Sequence, residues 1–463
     1  MKSRRDQVQA HAYVVGRLTS ALVHAEPDAP ESPARRTTLG SFGGLMLGTL
    51  LVAGFLIWGL IFPGSKAGTL TAGELVVVKQ TGARYIYSGR DLRPVLNWSS
   101  ARLLLNGNPQ LKFVSATSLA GLRQGPPLGI VGAPDALPAA RAVNRGDWLV
   151  CAMPGAGHPL TSLTIGAATA VGQAPARSAV IVQGPDGSQY LLWDSHRLRL
   201  DASWIRDALG LGRAPVIGVS GAWLNAVPAG PDLRPLAVPG RGRQGPTLGG
   251  QATRVGQVLV VHNVASPDEF YLAEAGGVAP ITSTQAALAL TDPATAAAYP
   301  GATASPVQIS PAAIAAAPVA GQALAGGAGA PPAPPADDAA PPPSVPCMDY
   351  AGAGVAPPLL VFATPPVGVP PALGMPGVSA GPAGADLISV VPNGGALVRP
   401  QAAPGVGGTS LFLVTDAGVK FPVPSATAAS ALGYRAGQAA ALPAALLGLL
   451  PTGPALDLPA LGS

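Results

Sequence analysis

The stretch "VPAGPDL" at residues 227–233 returns as "LPTGPAL" at 450–456 and, in weaker form, as "LRQGPPL" at 122–128. The shared pattern is an apolar residue, two variable residues, Gly-Pro, one variable residue and Leu. Gly adopts φ angles closed to other residues and Pro fixes its own φ, so Gly-Pro pairs are typical of turns. We therefore predict three equivalent repeat turns, formed by Gly125–Pro126, Gly230–Pro231 and Gly453–Pro454.

An aromatic residue stands at a nearly constant distance before each of these motifs. Tyr85 and Tyr190 lie 37 residues before the first residue of the motif, and Phe412 lies 38 residues before it. Each begins two short apolar runs divided by Gly, Asp or Ser, which is the pattern of a β-hairpin. A helix is expected after each hairpin, and its predicted N-caps are Asn97, Asp201 and Ser425.

A fourth, looser copy begins at Tyr271 and ends in "ISPAAIAAAPVAGQAL" at 309–324, where the turn lacks its proline. The unequal spacing of the copies argues against a solenoid of fixed period. We interpret the apolar stretches between the copies as strands of one central module, at 141–153, 178–184, 254–264, 357–364 and 384–400. The predicted fold class is α+β, with four hairpin–helix repeat domains around a central β-rich core.

Residues 43–62 read "GGLMLGTLLVAGFLIWGLIF", and no charged residue occurs from Thr37 to Ser65. About 20 apolar residues in a helix cover a hydrocarbon core of roughly 30 Å. A cleaved signal peptide is the alternative, but the apolar run is too long and too many residues precede it. This stretch predicts a transmembrane helix that is retained as an anchor.

The flanking charges predict the orientation of this helix. Lys66 is the only basic residue in the first dozen residues after the span, whereas six precede it: Lys2, Arg4, Arg5, Arg17, Arg35 and Arg36. Basic residues stay on the cytoplasmic side. The N-terminal segment is therefore expected in the cytoplasm and the bulk of the chain on the other side of the membrane.

Both cysteines of the chain, Cys151 and Cys347, fall in the exported part. An oxidising compartment favours a disulfide between them, and two buried free thiols are the alternative. Cys347 directly follows a Pro/Ala-rich loop at 325–346 with polyproline II character. A disulfide would hold this loop to the core.

The cytoplasmic segment carries an apolar stripe at helical spacing, made of Val14, Val15, Leu18 and Leu22. One interpretation is an amphipathic helix lying on the membrane surface. The other is a helix that docks onto a cytoplasmic partner. The residues alone leave both open.

No catalytic, cofactor or metal site emerges from the sequence. A phosphate-binding loop requires Gly-Lys, and that pair occurs nowhere in the chain. "DSH" at 194–196 places Asp, Ser and His side by side, which rarely forms a triad. The five histidines are scattered, so a metal site is not expected. A net charge of +5 over 463 residues does not argue for nucleic-acid binding.

Three stretches resemble the EccB family of the type VII (ESX) secretion system membrane complex. They are "RRDQVQAHAYVVGRLTSALVHAEPDAPESPARR" at 4–36, "VLNWSSARLLLNGNP" at 95–109 and "LGIVGAPDALP" at 128–138. One early and one late cysteine also fit the family, whereas Val131 and the loop 325–346 depart from its pattern. The resemblance covers essentially the whole chain.

The resemblance implies a structural subunit with one span and a large periplasmic part, which serves the export of small helical proteins. Its implied partners are the EccC ATPase, EccD, EccE, the mycosin protease and other EccB copies in a hexameric complex, in addition to membrane lipid. It also favours the docking role for the cytoplasmic stripe. The family's usual label is ATPase, so ATP is implied as a cofactor by that label alone, and a comparison with a phage lysin subunit implies cell-wall binding as a further alternative.

These inferences divide the chain into twelve segments. The predicted boundaries are 1–40 (cytoplasmic segment), 41–63 (transmembrane helix), 64–83 (juxtamembrane linker), 84–138 (repeat 1), 139–189 (core), 190–236 (repeat 2), 237–269 (core), 270–324 (repeat 3), 325–346 (Pro/Ala-rich loop), 347–410 (core), 411–457 (repeat 4) and 458–463 (C-terminal tail).

Overall fold

The structure is a computed structural model. It describes residues 3–25, 33–61, 70–167, 174–175, 180–263, 266–320, 331–335, 345–351, 356–366, 368–381, 383–403 and 406–458. The predicted loop 325–346 lies outside these ranges except for 331–335 and 345–346, and the predicted tail 458–463 lies outside them except for Leu458. The described residues form two units, one drawn from 1–92 and 111–124 and the other from 93–110 and 125–463.

The first unit contains two helices and a sheet. The helices are α1 (Arg4–His24) and α2 (Pro33–Ile61), and the strands are β1 (Leu75–Val78), β2 (Arg84–Tyr87), β3 (Asp91–Pro94), β4 (Leu111–Val114) and β5 (Arg123–Gln124). The strand order is β4-β1-β2-β3-β5. A small apolar core of Val76, Leu92 and Val114 lies on one face of this sheet. A 3₁₀ helix, Ala116–Leu119, follows β4.

The second unit contains the remaining elements. Its helices are α3 (Trp98–Leu104), α4 (Ile205–Ala208), α5 (Gly221–Ala226), α6 (Ser283–Thr291), α7 (Pro311–Ala315), α8 (Ala426–Leu432) and α9 (Ala444–Gly448), with 3₁₀ helices at Pro293–Ala298 and Ala436–Gln438. Its strands up to residue 308 are β6 (Asp147–Met153), β7 (Leu160–Ala167), β8 (Ala174–Pro175), β9 (Val180–Gln183), β10 (Gln189–Trp193), β11 (His196–Arg199), β12 (Val216–Gly218), β13 (Gln244–Leu248), β14 (Gln251–Arg254), β15 (Val258–Val261), β16 (Glu269–Glu274), β17 (Gly277–Ile281) and β18 (Val307–Gln308). The later strands are β19 (Val345–Tyr350), β20 (Leu359–Phe362), β21 (Leu387–Val390), β22 (Ala396–Ala403), β23 (Val406–Gly407), β24 (Leu411–Val414), β25 (Lys420–Val423) and β26 (Ala440–Pro443).

All four copies share one topology, which is longer than the unit inferred from the sequence. A strand precedes each hairpin, and a short strand after the first helix returns parallel to it. These parallel pairs are β1 with β4, β9 with β12, β15 with β18 and β22 with β26. A parallel pair needs a long crossover connection, and the hairpin together with the helix provides it. The sheet of the first copy belongs to the first unit, and its helix α3 belongs to the second.

The structure corrects the assignment of three apolar stretches to the central module. The stretches 178–184 and 254–264 supply β9 and β15, and the end of 384–400 supplies the start of β22. Each of these strands pairs within its own repeat sheet. An apolar run that is buried on both faces has the same appearance in either sheet, so its sequence could not decide between them.

The central sheet has six strands in the order β21-β7-β6-β19-β20-β8. One face carries the largest apolar core among the described residues, in which the helices α5 and α9 contact each other. Trp223 on α5 is fully buried there and donates a hydrogen bond from Nε1 to the Val150 carbonyl at 3.0 Å. The Tyr350 hydroxyl donates to the Ala226 carbonyl. The helices α5 and α9, which are the second helices of repeats 2 and 4, therefore form one core with the central sheet.

Two of the three predicted N-caps are confirmed. The side chains of Asn97 and Ser425 accept hydrogen bonds from the backbone N–H groups of Ser100 and Ala428. The prediction for Asp201 was wrong, because α4 begins after Trp204. The Asp201 carboxylate instead lies 3.6 Å from Nε of Arg199. Its role is an ion pair beside the helix.

The three Gly-Pro pairs do not form the predicted turns. Ala229 and Leu233, on either side of Gly230–Pro231, make parallel bridges to Arg197 and Leu200, so the segment runs extended beside β11. The segments that hold Gly125–Pro126 and Gly453–Pro454 are likewise without turns. Proline suits an extended segment at the edge of a sheet, because its fixed φ fits and it needs no hydrogen-bond acceptor.

Glycine is needed in the fourth repeat because of close packing. A Cβ on Gly453 would lie 2.3 Å from Cε1 of Phe421, which is fully buried. In the third repeat Val319 makes the equivalent bridge to Val278 without a Gly-Pro pair. The recurring motif therefore marks where the end of each repeat pairs with its own hairpin.

Candidate functional site

Helix α2 has the properties of a membrane span. Within it, Thr37–Gly59 is long and apolar enough to cross a bilayer, and none of this stretch is buried within the structure. Large side chains such as Phe42, Phe55 and Trp58 are exposed along it. A helix with this composition is stable when these side chains contact lipid.

Helix α1 presents the predicted apolar stripe on its exposed surface. Val14, Val15, Leu18 and Leu22 all have about half or more of their side chain exposed, and Leu22 reaches 85%. Ser20, on the opposite side of the helix, is buried, and α1 contacts α2. The helix begins with a capping box in which Ser3 and Asp6 satisfy each other's backbone N–H groups. The stripe is thus available for lipid or for a partner.

The structure joins Cys151 and Cys347 in a disulfide. The two residues stand directly opposite each other on β6 and β19, which are adjacent antiparallel strands, with their Cα atoms 4.0 Å apart. The sulfur atoms lie on the face opposite Trp223, in an apolar cluster with Leu149 and Phe362. The bond therefore connects two neighbouring strands of the central sheet that come from distant parts of the chain.

Asp349, two residues after Cys347, is a buried carboxylate that the sequence reasoning missed. It is 8% exposed, and its Oδ1 has no hydrogen-bond partner among the described residues. Burial, and secondly the charge of Asp147, raise the pKa of Asp349 to about 6. A carboxylate whose pKa is raised in the folded state makes the stability of this end of the sheet depend on pH.

Two further polar side chains hold the second helices in place. The buried Lys420 donates from Nζ to the carbonyls of Leu447 and Leu450 at the end of α9. Burial lowers the pKa of Lys420 to about 8. Arg197 occupies the equivalent place in repeat 2 and donates from Nε to the Val227 carbonyl at 3.1 Å. A signal was present in the sequence, because each basic residue follows its repeat's aromatic residue by seven or eight positions.

A long-range contact connects the helices of the first and last repeats. Nε of Arg102 on α3 donates to the Ala431 carbonyl on α8 at 2.9 Å. The helices approach so closely that a Cβ on Gly107 would lie 2.9 Å from the Ala431 oxygen. Gly433 ends α8 at φ +96°, where glycine is favoured. No local sequence signal could have shown this contact.

The residues that were considered for chemistry lie in a hairpin turn and in separate repeats. Nδ1 of His196 lies 2.6 Å from the backbone oxygen of Asp194, so the "DSH" stretch is a hairpin turn in which Asp194 and Ser195 both have positive φ. Among the residues that the structure describes, no group of three His, Cys, Asp or Glu side chains could hold a metal. The six repeat Gly-Pro residues lie in three separate repeats.

These features define a membrane-anchored protein with one apolar helix among its described residues and a β-rich remainder that contains four repeats and a disulfide-linked sheet. The chain matches the family model described as "Type VII secretion system ESX-1, transport TM domain B" over residues 2–460. It therefore belongs to this family, EccB.

Two curated relatives illustrate the similarity. The ESX-3 secretion system ATPase EccB3 of Mycolicibacterium smegmatis is 28% identical over 295 residues, which are 61% of this chain and 56% of that protein. The ESX-2 secretion system ATPase EccB2 of Mycobacterium tuberculosis is 30% identical over 295 residues, which are 61% of this chain and 57% of that protein. The chain thus matches little more than half the length of these relatives.

Solved structures share the fold over a larger part of the chain. A chain of an intact ESX-5 inner membrane complex has a TM-score of 0.65 at 24% identity and covers 99% of this chain and 94% of its own length. A chain of the EccB3 dimer from the ESX-3 core complex has a TM-score of 0.65 at 25% identity, with 83% of this chain and 98% of that chain covered. Both agree with the predicted α+β architecture, and the ESX-5 chain matches almost the whole length of this chain.

Proposed function

We propose that this chain is a structural subunit of a type VII secretion membrane complex, which it anchors and assembles on the periplasmic side for the export of small helical proteins. The family match over residues 2–460 carries this proposal. The related chains in the ESX-5 inner membrane complex and the EccB3 dimer support it. The proposed partners are the EccC ATPase, EccD, EccE, the mycosin protease and further copies of the chain.

The proposed orientation has α1 in the cytoplasm and the repeats in the periplasm of the plasma (inner) membrane. The excess of basic residues before the span supports it. The Cys151–Cys347 disulfide supports it independently, because structural disulfides persist in oxidising compartments. A reporter that is active only in the cytoplasm should be silent when fused after Ser463, and activity there would contradict the orientation.

ATP hydrolysis is the alternative that the relatives' names suggest. The chain has no Gly-Lys pair and therefore no phosphate loop of the known type. We expect the purified full chain to show no ATP turnover above that of a sample prepared identically from cells without it. Cell-wall binding is the second alternative, and a pull-down with purified polysaccharide tests it.

The stripe on α1 provides the sharpest test of the assembly role. Leu18→Asp with Leu22→Asp places two charges on the exposed apolar stripe, while Gln9→Asp places a charge on the opposite side of the same helix. If the stripe docks onto a cytoplasmic partner, the double variant should lose co-purification with EccC, EccD and EccE and lose secretion. The Gln9 variant should retain both.

The deletion of residues 1–36 with the anchor retained should give the same loss, with the exported part still resistant to protease. An intact complex and normal secretion in the double variant would show that the stripe rests only on lipid. Loss of the complex in the Gln9 variant as well would show that any added charge on α1 disrupts it, and the stripe would then have no special role.

A further inference from the structure

The strand β4 forms one edge of the sheet in the first unit. Its neighbour is β1, with which it pairs in parallel from Leu75–Leu111 to Val78–Val114. In a parallel pair, alternate residues direct their N–H and C=O groups toward the neighbouring strand. The Val114 carbonyl accepts a hydrogen bond from Lys79 N at 2.9 Å. The backbone N–H and C=O groups of Val114, and of Lys112 two residues before it, therefore point toward β1. Leu111 and Phe113 consequently direct their backbone groups to the side on which no described strand pairs with β4.

The side chains of this edge are unusually apolar on one face. Leu111 is 50% exposed and Phe113 is 55% exposed, and they share a face because they are two residues apart. Lys112 lies on the other face, with Nζ 3.4 Å from Oε2 of Glu74. Edge strands are commonly protected by outward charges, prolines or bulges, and an apolar edge with unpaired backbone groups is a template for another strand.

We propose that β4 pairs in antiparallel fashion with β4 of a second copy of the chain, about a two-fold axis at Lys112. The proposal rests on the proposed function, which brings several copies into one complex, and a solved relative at 25% identity is a dimer. An isologous contact requires a surface that complements itself. The strand meets this requirement, because Leu111 would face the partner's Phe113 and Phe113 the partner's Leu111.

The backbone favours this register over its neighbour. With the axis at Lys112, Leu111 and Phe113 of both copies form hydrogen-bonded pairs and use all their outward groups. With the axis at Phe113, the pairing would extend to Ser115, whose carbonyl already accepts from Ser118 N at 3.0 Å. That register would also place Lys112 opposite the partner's Val114, which offers no countercharge.

The charges on the other face are balanced in the proposed pair. Lys112 of each copy would approach the axis with its own Glu74 beside it, so the four charges sum to zero. A hydrogen bond from the backbone N–H of Thr71, followed by the charge of Lys112, lowers the pKa of Glu74, which keeps this carboxylate ionised. The paired strands are short, and stable interfaces bury about 1,200 Å² or more. We therefore expect a contact between copies that the membrane complex already holds close together.

Cysteine cross-linking of the full-length chain in native membranes tests the proposal. The two native cysteines are bonded to each other, so Lys112→Cys supplies the free thiol. Facing residues at a non-hydrogen-bonded position have Cα atoms about 4.5 Å apart, which is within reach of a disulfide. After mild oxidation, most of the Lys112→Cys chain should migrate as a dimer on a non-reducing gel. Lys79→Cys, an exposed position at the end of β1, is the matched control and should remain monomeric.

A second pair of variants retains the ion pair of Lys112 and reports the register. Chains with Leu111→Cys and chains with Phe113→Cys should cross-link to each other in co-expressing cells at least several-fold more than either does alone. No dimer above the Lys79 control in either experiment, with the chain still co-purifying in the complex, would overturn this contact and leave the proposed function standing. That result would also be expected if a different protein paired with β4. Absence of the unmodified chain from the complex would overturn the proposed function and this inference together.

Discussion

Nε of Arg102 on α3 donates a hydrogen bond to the carbonyl of Ala431, 329 residues later in the chain. A second bond from the same guanidinium, to the Gly107 carbonyl at 3.2 Å, holds the end of α3. One side chain thereby donates hydrogen bonds at the C-terminal ends of two helices, α3 of the first repeat and α8 of the last. Cations at helix C-termini also interact favourably with the helix dipole.

Arg102→Met should therefore destabilise the protein while preserving most of the apolar stem. We expect the free energy of unfolding to fall by about 1–3 kcal/mol, because two partly buried carbonyls lose their donor. Urea unfolding of the full chain in detergent, followed by tryptophan fluorescence, measures this change. Arg123→Met is the control, since its side chain is 88% exposed and its ion pair with Asp91 should contribute little. Equal losses for both variants would refute a special role for Arg102.

Removal of the disulfide should have a larger effect. The bond closes a loop between residues 196 positions apart, which corresponds to about 5 kcal/mol in the chain-entropy model. Cys151→Ala, Cys347→Ala and the double variant should lose similar amounts, because either single change breaks the bond. Alkylation with mass mapping of the folded, oxidised wild type should find no free thiol, and two alkylatable thiols would contradict the bond.

The close approach at Gly453 predicts opposite outcomes for two nearby Gly→Ala changes. Gly453→Ala should cost about 1–3 kcal/mol, because its Cβ would overlap the buried ring of Phe421. Gly448→Ala at the end of α9 meets no atom within 4 Å and should be neutral or stabilise by up to about 1 kcal/mol. Thermal unfolding midpoints of the two variants distinguish the outcomes. A neutral Gly453→Ala would mean that the segment can move away from Phe421.

The raised pKa of Asp349 predicts how stability depends on pH. Between its ordinary value of 3.8 and about 6, the folded protein binds more protons at this group than the unfolded chain does. The free energy of unfolding contributed by this group should therefore fall as pH rises through this window and stay level above it. Asp349→Asn should remove the fall and raise the free energy of unfolding at pH 7 by about 1–3 kcal/mol.

Asp147→Asn provides the companion measurement, because the charge of Asp147 is the second cause of the raised pKa. This variant should bring the pKa of Asp349 closer to its ordinary value, so the free energy of unfolding should fall over a narrower range of pH but should still fall. Urea unfolding at a series of pH values from 4 to 8 compares the three proteins. If the free energy of unfolding changes with pH in the same way in the wild type and in Asp349→Asn, Asp349 ionises freely in the folded state and the prediction is wrong.

The sequence was sufficient to predict the features that depend on neighbouring residues or on export to an oxidising compartment. The hairpins at Tyr85, Tyr190, Tyr271 and Phe412 follow from local alternation of apolar and turn residues, and all four begin in observed strands. Asn97 and Ser425 cap helices because a cap needs only the next few residues. The pairing of the two cysteines followed from the expected export of the chain.

The features that were missed depend on residues far apart in the chain. The strands β12 and β18 have only three and two residues, and they exist because β9 and β15 offer a parallel partner. The Gly-Pro segments were mistaken for turns because their bridges to the hairpins are formed across about 30 residues. Asp201 lost its predicted place as a cap because the chain from Asp201 to Trp204 is not helical.

The position of the disulfide also determines when the bond can form during export of the chain. Under the proposed orientation the chain crosses the membrane from its N-terminal side. The strands β6 and β7 therefore emerge first, and β8 follows them about 170 residues ahead of β19. Repeats 2 and 3 lie between them and can close their own sheets first. During that interval Cys151 is a free thiol, because Cys347 of the same chain has not yet crossed the membrane. A chain with two cysteines can form no incorrect bridge within itself, so the hazard in this interval is a bridge to a neighbouring nascent chain.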